Sequence, residues 1–111
     1  MNKETEHKIE QIQLIEQNLQ NILGQKQNFQ SQLLEVENAL EEIKKSKDKV
    51  YRIVGSIMVL SEKQDVEKYL NSKKEIVELR IKNLEKQEDK LKEKVNEFQQ
   101  EILKELKNKE A

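Results

Sequence analysis

Two long runs of seven-residue periodicity flank one short apolar stretch, Val50-Tyr51-Arg52-Ile53-Val54-Gly55-Ser56-Ile57-Met58-Val59-Leu60, and few folds accommodate that layout. In the first run Ile12, Leu19, Lys26, Leu33, Leu40 and Lys47 recur every seventh residue, and Ile15, Ile22, Phe29, Val36, Ile43 and Val50 stand three places later. Alternating steps of three and four place these side chains on one stripe of a helix, which is the seam of a coiled coil. In the second run the clear series is Leu70, Val77, Leu84, Leu91 and Phe98; Ile81, Val95 and Ile102 support it less evenly, and Lys74 and Glu88 interrupt its other half. Gly55-Ser56, at the centre of the apolar stretch, is a two-residue connection of the kind that turns a β-hairpin and reverses the chain. The expectation is a mainly α chain forming one unit over 1–111. It has a helix over 4–48, a β-hairpin over 50–60 and an antiparallel return helix over 62–108, with both termini far from the hairpin. Each helix, at about 45 residues, would be roughly 65 Å long.

Such a chain buries a stripe rather than a round core, so further chains are expected to complete it. Charged residues make up 39% of the sequence and aromatics 4%, and proline is absent, which two long unbroken helices require. With 21 basic and 22 acidic residues the formal charge is −1, and the signs alternate along the second run, so no basic stripe for nucleic acid or anionic lipid emerges. Glu78 with Lys82 and Glu88 with Lys92 have the favourable spacing of four, worth only ~0.3–0.5 kcal/mol each on an exposed helix. The absence of cysteine excludes disulfides and thiolate metal sites and is compatible with a reducing compartment. Met1-Asn2-Lys3-Glu4 offers no apolar signal core, and no apolar run reaches the ~18 residues of a membrane span. The expectation is a soluble, cytoplasmic protein.

Gly24 falls on the outer face of the first helix, where it costs about 1 kcal/mol of helix stability but no packing. The basic turn over 45–49 suits the negative C-terminal end of that helix. Ser61, three residues before Gln64, has the spacing of a capping box for the second helix. Within the hairpin, Tyr51, Ile53, Ile57 and Val59 share one parity by residue number, and Val54, Met58 and Leu60 share the other with Arg52 and Ser56. Both faces then read as largely apolar. A lone two-stranded hairpin cannot cover two apolar faces and two open edges, so several copies are expected to pool their hairpins into a larger sheet or barrel.

The search for catalytic groups yields little. His7 is the sole histidine, with no cysteine or second histidine to join it as a metal ligand or base. Carboxylate pairs on an exposed coiled coil stay hydrated, and Gly55 has no glycine neighbours with which to cradle a phosphate. The expectation is no enzyme, no metal and no cofactor. Apolar residues do gather towards the chain ends: Ile9, Ile12, Leu14 and Ile15 on the first run, Phe98, Ile102, Leu103 and Leu106 on the second. Leu14, Leu103 and Leu106 step outside the seam, leaving an apolar rim able to hold apolar segments of another chain.

The coiled-coil arm, the Tyr-x-x-Val-Gly hairpin at Tyr51-Arg52-Ile53-Val54-Gly55 and the charged helix through Leu79-Arg80-Ile81-Lys82-Asn83-Leu84 together resemble the β-class subunit of prefoldin over essentially the whole chain. The single hairpin fits that class, since α-class subunits carry two, and the short chain looks more like an archaeal member than a eukaryotic one. The resemblance implies a hexamer of two α-class and four β-class subunits whose hairpins form a double β-barrel body with six coiled-coil arms. Body contacts would then come from Tyr51, Ile53, Val54, Gly55, Ile57, Met58, Val59 and Leu60. Unfolded clients would be held at the arm tips by Ile9, Ile12, Leu14, Ile15, Phe98, Ile102, Leu103 and Leu106, without ATP, and passed to a group II chaperonin. A structural or adaptor coiled coil docking one folded partner is the main alternative. An RNA-binding helical arm like that of seryl-tRNA synthetases would need a basic face that this charge balance lacks. Neither alternative has a use for a doubly apolar hairpin at its bend.

Overall fold

Asn2 starts the first helix: its side-chain oxygen accepts the Thr5 amide at 2.8 Å and its carbonyl accepts the Glu6 amide at 3.1 Å, which satisfies two of the donors a helix start leaves free. The computed structural model describes residues 2–110. Helix α1 runs Lys3–Lys45, strand β1 Val50–Val54, strand β2 Ile57–Ser61 and helix α2 Lys63–Glu110. Both helices are uninterrupted, α1 passing straight through Gly24. By their contacts the residues divide into two units, one holding Gln27–Ile81 and the other taking α1 as far as Lys26 and α2 from Lys82.

In the hairpin-bearing unit, Val36, Leu40, Val66 and Val77 are buried, flanked by half-buried Phe29, Leu33, Ile43, Leu70 and Ile81. All but Val66, which neither heptad series includes, are seam positions of the two series, and the pairing is antiparallel: Glu37 meets Lys74 at 3.9 Å, and the Arg80 guanidinium lies 5.6 Å from the centre of the Phe29 ring. The helix α1 closes at Lys45, where the sequence reading carries it to Asp48. The Ser46 amide makes the last turn's bonds to Glu42 and Ile43, and Lys63 reaches across to the carbonyls of Lys44 and Ser46 at 3.5 and 3.4 Å. A cation on the terminal carbonyls is what the helix dipole favours.

The other unit buries Thr5, Ile15, Ile22 and Leu84, with Ile12, Leu19, Leu91, Val95, Phe98 and Ile102 half-buried beside them. Two residues that break the apolar series, Lys26 and Glu88, face each other at 3.5 Å, and Lys92 approaches the same Glu88 oxygen from the next turn at 3.5 Å. The two interruptions therefore form one paired polar layer. Lys26 and Glu88 expose only 15% and 16% of their side chains.

The hairpin register corrects two readings of the sequence. Val50 pairs with Ser61, Tyr51 with Leu60, Arg52 with Val59, Ile53 with Met58 and Val54 with Ile57. Cross-strand partners share a face, so Tyr51, Ile53, Met58 and Leu60 form one face and Val50, Arg52, Val54, Ile57, Val59 and Ser61 the other. The grouping by residue number fails because a two-residue turn pairs every odd position with an even one. Gly55 has φ 63° and, among the described residues, no other has positive φ, which matches the hairpin turn that needs glycine only at its first central position. The second correction concerns Ser61. It is the last residue of β2 and its hydroxyl donates to the Val59 carbonyl at 3.2 Å, so it does not cap α2. The Glu62 carbonyl accepts the first helical amides, from Asp65 and Val66, instead. The ladder claims Ser61 by pairing it with Val50.

Candidate functional site: the hairpin and the leucines near the chain ends

Two surfaces carry exposed apolar residues of the kind that hold other chains. The first is the hairpin. From Tyr51 to Leu60 every residue is exposed, Ile53 at 75%, Met58 at 65% and Ile57 at 64%. On one face stand Tyr51, Ile53, Met58 and Leu60, and on the other Val54, Ile57 and Val59 beside Arg52. Among the described residues only two strands form the sheet, so both outer edges also present free backbone groups. All eight hairpin residues singled out from the sequence lie on this element. Fully burying each large apolar side chain against a neighbour is worth about 1.5–3 kcal/mol, so a surface of this size drives association strongly. Arg52 marks where the element meets the helices: its guanidinium sits 4.6 Å from the centre of the Tyr69 ring, an arrangement that attracts through the ring's negative face.

The second surface lies in the unit that holds the chain ends. Here the eight residues singled out divide by heptad position. Ile15 is buried at 8%, and Ile12, Phe98 and Ile102 are half-buried in the same seam, with Ile9 half-buried at its margin. Leu14, Leu103 and Leu106 point outward, Leu14 at 59% and Leu103 at 58%. Leu14 and Ile15 line a shallow open groove with Gln11 and Lys94, and Lys94 also lies 5.9 Å from the Phe98 ring centre. The surface thus consists of three exposed leucines standing on a seam that holds them in place.

Polar contacts close this end of the seam. The Thr5 hydroxyl, buried, donates to Glu105, and Lys8 pairs with Glu101 at 3.0 Å. The hydrogen bond to Glu101 holds the Lys8 ammonium above the ordinary lysine value. Glu105 occupies the seam position seven residues after Phe98, and sequence reasoning missed it because a carboxylate interrupts the apolar pattern. His7 is exposed, with its ring nitrogen 3.0 Å from the Gln11 amide. Among the described residues no cluster of three or more His, Cys, Asp or Glu side chains is placed to hold a metal ion, and no helix is long and apolar enough to cross a membrane. Sequence reasoning also passed over Leu34, Tyr69, Ile76 and Leu79, all exposed. For Tyr69, Ile76 and Leu79 the signal was available as a second periodic stripe on α2.

The family described as "Prefoldin subunit" matches residues 6–109. The chain is 43% identical over 96 residues to a prefoldin subunit beta of Archaeoglobus fulgidus, covering 85% of this chain and 83% of that one. It is 39% identical over 94 residues to a prefoldin subunit beta of Thermococcus onnurineus, covering 83% and 81%. Its structure is similar to the crystal structure of the prefoldin beta subunit from Thermococcus strain KS-1, with a TM-score of 0.90 at 34% identity over 95% of this chain and 94% of that chain.

Proposed function

The chain belongs to the prefoldin subunit family, and on that premise we propose that it works as an ATP-independent holdase. In this reading two α-class subunits and four copies of this chain pool their hairpins into a β-barrel body in the cytoplasm. The coiled-coil ends hold unfolded polypeptides and pass them to a group II chaperonin. That the protein is a chaperone subunit, and that it assembles with other prefoldin subunits, follows from the family itself.

The observation that carries the holdase reading is the outward placement of Leu14, Leu103 and Leu106 in the unit that lacks the hairpin. Three leucines on one subunit grip an extended apolar segment weakly, but several subunits around one body multiply that grip through effective concentration while each contact stays quickly reversible. Release then needs no nucleotide, because a competing partner at the same ends displaces the client one contact at a time. This reading divides the labour physically: hairpin residues assemble, and end leucines bind.

Replacing both Leu103 and Leu106 by Ser tests this. The double variant should assemble with an α-class subunit to the same mass by light scattering and lose most of its ability to keep a denatured protein from aggregating. Undiminished protection would refute the placement of the client surface, and loss of assembly would refute the division of labour.

A further inference from the structure

The hairpin hangs from the helices by two short connectors, residues 46–49 and Glu62. At its base Val50 and Ser61 are half-buried, and from Tyr51 to Leu60 every residue is exposed. Among the described residues no hydrogen bond or ion pair joins either strand to a helix. An element held at two neighbouring points keeps one soft motion, a swing about the line through them. The connectors alone therefore leave open the angle between the hairpin and the helices.

One contact away from that line restrains the swing: the Arg52 guanidinium lies 4.6 Å from the centre of the Tyr69 ring, on the second turn of α2. Arg52 is the only charged residue of either strand. Among the described residues it forms no ion pair, so the negative face of the ring is its one specific partner. The strand face that carries it otherwise holds Val54, Ile57 and Val59, and a guanidinium left standing among them would be desolvated wherever that face is covered. Drawn onto Tyr69, the charge leaves these residues clear and tips their face towards α2. The wholly apolar face of Tyr51, Ile53, Met58 and Leu60 is thereby turned away from that helix.

We infer that Arg52 and Tyr69 form a strut that sets the angle of the hairpin, so that the subunit meets its neighbours with its assembling element already oriented. This rests on the hairpin being that element, as proposed in the preceding subsection. The contact is internal to one chain and is made before and after assembly alike. Its contribution is therefore preorganisation, the removal of a motion that association would otherwise have to freeze. The signature is kinetic. Without the strut fewer encounters arrive correctly oriented and association slows, whereas a completed particle, in which neighbours hold the hairpin, dissociates as before.

Assembly with an α-class subunit, followed by light scattering, and dissociation, followed by exchange of labelled for unlabelled chain, test this on variants at both positions. Tyr69→Leu keeps an apolar side chain but removes the aromatic face. It should slow assembly by about two- to fivefold, the factor an exposed cation–π contact supplies, at an unchanged dissociation rate and unchanged helix content by circular dichroism. Tyr69→Phe keeps the face and should assemble at the parental rate. Arg52→Gln should slow assembly as Tyr69→Leu does and add nothing to it in the double variant, the non-additivity of two residues acting through one contact. Faster dissociation of the Tyr69→Leu particle would mean that Tyr69 touches a neighbouring subunit, and would overturn the strut. Additive effects, or a Tyr69→Phe chain as slow as Tyr69→Leu, would overturn it equally while leaving the assembly standing. A parent chain that forms no particle with the α-class subunit overturns both.

Discussion

A methyl group added at Gly55 would touch nothing, since no heavy atom lies within 4 Å of where it would stand, yet the backbone there has φ 63°. The constraint is therefore conformational and not steric, and Gly55→Ala should cost about 1–2 kcal/mol. That loss appears as weaker assembly rather than a lower helix content, measurable by circular dichroism and light scattering on the same sample. Gly24 is the opposite case. It also has open space around it, but sits mid-helix with ordinary backbone geometry, so Gly24→Ala should stabilise the chain by about 1 kcal/mol in chemical denaturation. The two glycines look alike in sequence, and only the turn position of Gly55, two residues between two apolar runs, distinguishes them there. Parity by number misassigned the hairpin faces for the same reason: the pairing is set by turn length, a relation between strands that no single strand displays.

The helices show which features of an element can be read in one dimension. The seam residues were legible because a stripe on one helix is a period along one chain, and Ile15, Ile22, Val36, Leu40, Val77 and Leu84 are buried where the heptads put them. Lys26 and Glu88 read only as interruptions, since their mutual approach depends on the register between two helices. This polar layer fixes that register: a slip by one heptad would set each charge against an apolar layer of the other helix. Glu88→Leu alone strands Lys26 in a half-buried site and should destabilise by about 1–3 kcal/mol. Replacing both by Leu should be neutral or stabilising, because two half-desolvated charges are removed together. A lower melting temperature for the double Leu chain would refute the account. The outer stripe of α2 escaped the sequence reading because Tyr69 and Ile76 directly precede Leu70 and Val77, and two adjacent stripes blur into one wide apolar band.

At the scale of the whole molecule, the hairpin is the element least able to stand alone. Ile53 and Ile57 lie on opposite faces of it, so replacing both by Asp puts a carboxylate into each face of any sheet built from it. The double variant should sediment as an unassembled helical chain. Each single change should weaken assembly less than the pair, and a particle that survives the double change would exclude a body covering both faces. Which end leucines face outward was legible in the sequence, because Leu14, Leu103 and Leu106 step off the heptad positions that bury Ile15 beside them.

The exposure of both hairpin faces also makes the folded subunit's fate depend on how much of it the cell makes. A chain without partners displays open strand edges together with exposed Ile53, Ile57 and Met58, which is enough to draw in other chains. Its assembly is tied to protomer concentration by mass action, so an excess over the other prefoldin subunits leaves orphans with the same sticky chemistry that unfolded proteins show. Synthesis matched to that of its partner subunits is thus a requirement written into five residues of strand on either side of one glycine turn.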